Sequence, residues 1–190
     1  ASGNVTANSS AYVGGFVGQS TSATLTNATA SGKVSGYAIV GGFISYNGGM
    51  TTNITSSSGN ISSPGGHYIG GYVGQNAAGT IENATTTGNV YGANNVEHVG
   101  GFVGYNSATI NKATVNITVV NTTSGVGVRA NQYVGGFAGH IAGGTISNST
   151  TNASVDGAAY HIGGFVGYAS SGAIATSGAT GNVTGIYSLG

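Results

Sequence analysis

The chain has no cysteine, one proline (Pro64) and almost no charge. Without cysteine there is no disulfide, no thiolate nucleophile and no zinc–thiolate site. Secretion is still open to it, because a long stacked fold gathers enough core without covalent staples. Charged residues make up 3% of the sequence: Lys33, Glu82, Glu97, Lys112, Arg129 and Asp156, whose charges cancel. An ordinary globular domain carries about 25%. No electrostatic footprint for nucleic acid or an anionic membrane can be built from so few. No apolar run approaches the roughly 20 residues that span a bilayer, so membrane insertion is not expected. A near-neutral surface favours association, so this one is either covered by sugar or made to associate.

What the chain does have is repetition. A phrase of Val or Ile, Gly-Gly, an aromatic, an aliphatic or small residue and Gly begins at Val13, Val40, Ile69, Val99, Val134 and Ile162, with Ser45 in place of the last Gly in the second copy. Its Gly-Gly pairs start at positions 14, 41, 70, 100, 135 and 163, at spacings of 27, 29, 30, 35 and 28. A period of this length is one structural unit laid down repeatedly. Gly is abundant, at 38 residues, but a disordered chain lacks such a periodic apolar set.

Each unit divides into three segments. The first is the phrase itself. The second pairs an aliphatic residue with Asn two places on, as in Leu25 with Asn27, Ile81 with Asn83 and Ile146 with Asn148. The third centres on Val34, Val90, Val119, Val155 and Val183, seven places after the Asn column, with Ile61 one residue late. The segments are short, β-branched, rich in Thr and bounded by Gly, Asn and Ser, which are strand signals. No stretch has the 3.6-residue period of an amphipathic helix. One unit cannot bury its own apolar face, whereas stacked units align each column into a continuous core. The expected fold is an all-β solenoid of about six coils, roughly 28 residues and three short strands per coil, forming one repeat domain over 1–190. A hairpin-based sandwich would want tight two-residue turns, and these are not consistently present.

Two core ladders are expected. One is Val13, Val40, Ile69, Val99, Val134 and Ile162; the other is Phe16, Phe43, Tyr72, Phe102, Phe137 and Phe165. Three residues apart on a simple strand, they would face opposite sides. Either the Gly pair bends the chain so that both point inward, or one face is covered by another chain. The longest spacing holds an insertion around Asn121 to Gln132, with Arg129, read as a surface loop.

The phrase resembles the GLUG motif, carried by Gly15-Phe16-Val17-Gly18 and Gly101-Phe102-Val103-Gly104 with Phe in the Leu place. The Ile-x-Asn and Gly-Asn-Val elements, such as Gly88-Asn89-Val90 and Gly181-Asn182-Val183, also match. The resemblance covers nearly the whole chain. It implies a secreted or surface protein with a spacer, adhesive or assembly role, and it brings no catalytic residue with it.

Catalysis needs a base, a nucleophile or a metal in the right geometry. Glu97 and His98 are strand neighbours and face opposite sides. His98 and His161 share a column with Tyr12, Tyr68 and Tyr133; His140 shares another with Gln19, Tyr46, Gln75, Tyr105 and Tyr168. Both columns read as aromatic ladders. His67 falls in a Gly-rich turn after Pro64. A single Asp cannot supply carboxylate calcium sites. Gly125-Val126-Gly127 lacks the helix that a phosphate loop requires. The chain is therefore read as a non-enzyme with no cofactor and no metal.

Asn-x-Ser/Thr is the one enriched motif. It occurs eleven times, at Asn4, Asn8, Asn27, Asn53, Asn60, Asn83, Asn116, Asn121, Asn148, Asn152 and Asn182. With 19 Asn and 45 Ser plus Thr, chance gives about four or five such acceptors. Asn27, Asn53, Asn83 and Asn148 fall in the second segment, and Asn4, Asn60 and Asn182 in the third. They read either as N-linked glycan acceptors, which would hydrate a surface without charge, or as hydrogen-bonded polar ladders along the stack.

The chain opens Ala1-Ser2-Gly3 rather than with Met, as an exported, processed chain would. Gly3-Asn4-Val5-Thr6 and Gly181-Asn182-Val183-Thr184 are in the same phase of the repeat. Uncapped solenoid ends stack on further copies, and such a contact does not close. These features lead to an expected role as an extracellular, N-glycosylated filament subunit, partnered head to tail by copies of itself. The alternative is an adhesin or stalk module of a larger surface protein. An ice-binding surface is the least favoured reading, because Thr24-Leu25-Thr26 is not echoed in the other units.

Overall fold

A computed structural model describes residues 1–9, 11–93, 96–121, 133–157 and 159–185, the side chains of 118–121 aside. The insertion expected around Asn121–Gln132, with Arg129 and Gly125-Val126-Gly127, lies outside the described residues apart from the backbone of Asn121. Every strand pairing is parallel, and the order of strands in the first and third sheets follows the order of the sequence. The chain is a β-solenoid of about six coils with three faces.

The first face stacks Tyr12–Gly14, Ile39–Gly41, Gly66–Gly70, Val96–Gly100, Tyr133–Gly135 and His161–Gly163. The third stacks Val5–Thr6, Val34–Ser35, Ile61–Ser63, Val90–Gly92, Thr118–Asn121, Ser154–Gly157 and Val183–Gly185. The second face is longer than the sequence suggested. Ile44–Ser57 and Val73–Thr86 each run 14 residues unbroken, while the other coils cover the same course in two or three pieces. The Val of each phrase thus ends the first face, and the residues after the aromatic begin the second.

The Gly-Gly pair explains how both ladders are buried. It is a corner, with a bend at Gly15 and Phe16 and at each equivalent pair. Val13 and Phe16 columns both turn inward: Val40, Ile69, Val99 and Val134, and Phe43, Tyr72, Phe102 and Phe137, are fully buried. The corner has no room for a side chain. A Cβ on Gly70 would lie 2.0 Å from the carbonyl oxygen of Val73 in its own coil, and one on Gly71 would lie 2.1 Å from that of Gly101 in the next.

The six aromatic rings form one column, with centroids 4.8–5.0 Å apart and planes within 15° of parallel. That spacing is the rise of a parallel stack. Tyr72 is the one phenol among phenylalanines. It donates to Thr52 Oγ1 at 3.3 Å and lies 2.6 Å from Thr55 Oγ1, so its buried hydroxyl is satisfied. Burial pushes its pKa up to about 12, with the threonine bonds pulling the other way.

A second internal column is polar. Asn47 donates from Nδ2 to Asn76 Oδ1 (2.9 Å), and Asn76 donates to Asn106 Oδ1 (2.7 Å). Asn106 then donates to the Ala108 carbonyl at 2.9 Å. All three amides are buried, and Asn47 Oδ1 accepts from the Met50 amide at 2.7 Å. In register with them stand Ser20 before and Ile141 after.

Candidate functional surface

The register places each sequon on the coil. Asn27, Asn83 and Asn148 share one column with Ile54, Lys112 and Thr176. All six residues have left-handed backbone, with φ between 48° and 55°. This column is a second corner, in the middle of the second face. Asn53 does not belong to it, contrary to the expectation from sequence. It lies one place earlier, paired with Thr26 and Glu82. With Ile54 at the corner, Ile61 is no longer late: the core residue of the third face follows the corner by seven places in every coil.

Asn4, Asn60 and Asn182 lead into the third face. Asn4 and Asn60 accept backbone amides of Lys33 and Asn89 through their side-chain oxygens. Sequence reasoning missed a further column, in which Asn152 Nδ2 donates to Asn116 Oδ1 at 3.0 Å. The side chains of Asn4, Asn8, Asn27, Asn60, Asn83, Asn116, Asn148, Asn152 and Asn182 are exposed. Asn53 is half-buried and accepts from Asn83 Nδ2 at 2.7 Å. The side chain of Asn121 is outside the described set.

The histidines lie where two aromatic columns meet. Tyr12, Tyr68, His98, Tyr133 and His161 run along the first face, with Ile39 between the first two. Gln19, Tyr46, Gln75, Tyr105, His140 and Tyr168 run along the start of the second. Each ring of the first column up to Tyr133 touches the second-column ring of the following coil. The pairs are Tyr12–Tyr46 (5.5 Å), Tyr68–Tyr105 (5.0 Å), His98–His140 (5.3 Å) and Tyr133–Tyr168 (4.7 Å). The result is a surface stripe. Burial, with the stacked His140 second, lowers the pKa of His98 to about 4, and burial lowers that of His140. His98 Nδ1 donates to the His67 carbonyl at 3.2 Å, which fixes its neutral tautomer. His67 Nδ1 pairs with Glu97 Oε2 at 2.9 Å on the surface. Among the described residues no three His, Asp or Glu side chains form a group that could hold a metal. No helix among them is long and apolar enough to cross a membrane.

The GLUG motif model matches residues 9–35, 130–156 and 158–184. The chain carries GLUG repeats. The matched segments are the first, fifth and sixth coils. The three coils between them follow the same register but carry the buried Asn47, Asn76 and Asn106 where the matched coils have Ser20, Ile141 and Ala169. Among curated proteins and among solved structures, none matches the chain.

Two shallow grooves follow the sequon columns of the solenoid. One, of about 360 Å³, lies between Asn27 and Asn83, with Thr29 and Thr85 on its wall. The other, of about 310 Å³, holds Asn116 and Asn152. The Thr24-Leu25-Thr26 triplet is not echoed in the other coils, but its first residue is. Thr24 is echoed in register by Thr51, Thr80, Thr109 and Thr145, so one threonine row does run along the face. The position of Thr26 is taken by Asn53, Glu82, Asn111 and Ser147, so the paired Thr-x-Thr array is absent.

Proposed function

We propose that this GLUG solenoid is a non-catalytic, extracellular structural protein, a subunit of an N-glycosylated homopolymer assembled coil on coil. The observation that carries the reading is the state of its outer coils. They present the same columns as the inner ones, but Phe16 is 42% exposed and Ile174 46%, while Phe137 and Ile81 are fully buried. An open parallel edge over an exposed core is a template for another coil, and a second copy carries the matching one. Exposed sequons on several columns supply the hydration that charge does not. The competing reading is a module of a larger surface protein, in which neighbouring coils of one chain cover these faces; a gene encoding large flanking domains would favour it.

Two glycines make the assembly testable. A Cβ on Gly164 meets only side-chain atoms, Val183 Cγ2 at 3.4 Å and Ala179 Cβ at 3.6 Å, and Gly3 has open space. Their counterparts inside the stack face a carbonyl of the adjacent coil: Gly136 meets Gly164 at 2.2 Å and Gly32 meets Gly3 at 2.0 Å. Wild-type chain is expected to form filaments by negative-stain microscopy and light scattering. The Gly3→Ala/Gly164→Ala double variant is expected to fold with an unchanged melting temperature and remain single. A monomeric wild type at high concentration, or a double variant that polymerises like the wild type, would overturn the reading. Intact mass of natively produced protein tests the sugar: hexose-sized steps above 18.3 kDa are expected, and the bare mass would remove glycosylation.

A further inference from the structure

The register shows a segregation that the linear sequence hides. All eleven sequons fall in one half of the coil, from the position of Thr26 through the third face to Asn8 and Asn121. None falls in 12–25, 39–52, 68–81, 98–110, 133–146 or 161–174, the segments that carry the aromatic stripe and the threonine row. Asparagines do occur there, but Asn47, Asn76 and Asn106 point into the core and are not followed by the acceptor pattern. The stripe is thus the side of the solenoid that would remain bare when every sequon carries a sugar.

We propose that this bare aromatic stripe is a lateral contact between two copies of the chain, which zips end-to-end polymers side by side. The inference rests on the assembly reading above. Three observations select a second copy. First, no Lys, Arg, Asp or Glu belongs to either column of the stripe, so it offers nothing to an ionic partner and suits an uncharged one. Tyr46, Tyr68, Tyr105 and Tyr133 of the inner coils are half-buried on it, and tyrosine joins apolar area to a polar tip, the combination enriched in interfaces. Second, the rings recur at the coil rise of about 4.8 Å. A second solenoid has that same spacing, so one well-seated ring contact repeats at every coil. Third, the area requires many copies. Six coils give a stripe about 29 Å long; at about 10 Å wide, a pair buries on the order of 600 Å². That is half of what a stable specific interface needs. Single chains should therefore not pair, whereas polymers, whose contacts add along a shared axis, should.

The decisive variant is Tyr46→Ser/Tyr105→Ser/Tyr168→Ser, made in chain produced without glycans. If the stripe is the contact, wild-type filaments appear paired or bundled by electron microscopy and the triple variant gives single filaments of similar length. Bundled variant filaments, or wild-type filaments that are always single, would overturn the proposal. A second arm removes its dependence on end-to-end growth. The end-blocked Gly3→Ala/Gly164→Ala chain, displayed densely on beads, is expected to clump them. Adding the three serines should reduce clumping by roughly tenfold or more, since aromatic anchors dominate such contacts. Absence of clumping, clumping indifferent to the serines, or clumping reversed by free neutral oligosaccharides would sink it; the last would assign the stripe to sugar. Thermal unfolding of each variant as a single chain shows whether the serines act through the surface or through the fold.

Discussion

The inner and outer coils are built from the same columns and differ in what covers them. Phe102 stacks between Tyr72 and Phe137; Phe16 has Phe43 on one side only. Ile81 is fully buried, and Ile174, in its register, is nearly half exposed. Hydrophobicity of the residue is equal in the two places. In a solenoid, membership of the core is conferred by the neighbouring coils, and each layer completes the one before it.

The largest test of that contrast is a glycine at the corner. Gly101→Ala would drive a Cβ to 2.1 Å from the Gly136 carbonyl, and a loss of about 4 kcal/mol or more is expected, read as collapse of the melting transition. Gly164→Ala, the same position in the last coil, should stay within about 0.5 kcal/mol of wild type. Equal losses would mean that the last coil is already covered. Next come the rings: Phe102→Ala should cost about 3–5 kcal/mol by denaturant unfolding, and half-exposed Phe16→Ala about 1 kcal/mol.

A pH-dependent effect comes from titration within the inner coils. His98 faces His140 from the second face, and Tyr68, Tyr105, Tyr133, Glu97 and His67 lie around it. Its folded pKa, about 4, is below the ordinary 6.5. Its neutral form therefore supports the fold fully above about pH 6.5, and that support drains as pH falls toward 4, by at most about 3 kcal/mol. His98→Tyr, the residue its column neighbours carry, should flatten the fall in melting temperature between pH 7 and 4; an unchanged profile would exonerate His98.

The period, the three faces and both apolar ladders were legible in the sequence because each column repeats a residue type. What escaped reading has a physical reason in each case. The second corner needs left-handed backbone, which favours Asn and disfavours β-branched residues. Asn53 therefore looked like its occupant, yet Ile54 holds the place, because the neighbouring coils impose the turn on it. The buried amide column went unread, since nothing local marks Asn47, Asn76 or Asn106 as inward. The stripe depends on rings of successive coils meeting diagonally, and the bare side depends on register; neither exists along the line of the chain. The threonine row was visible in principle, but it repeats one residue of Thr24-Leu25-Thr26 and not the triplet.

The three buried amides also number the coils. A stack of near-identical layers can be assembled one layer out of step, with Val still on Val and Phe still on Phe. The amide column does not tolerate that error. Its donors all point the same way along the axis, and it runs for three layers between Ser20 and Ile141. Skipping one of these coils would break an Asn–Asn bond of the column, and a buried amide left without its partner costs about 1–3 kcal/mol. A repeat whose other columns are interchangeable thereby carries an internal address, which tells the folding chain which layer is which.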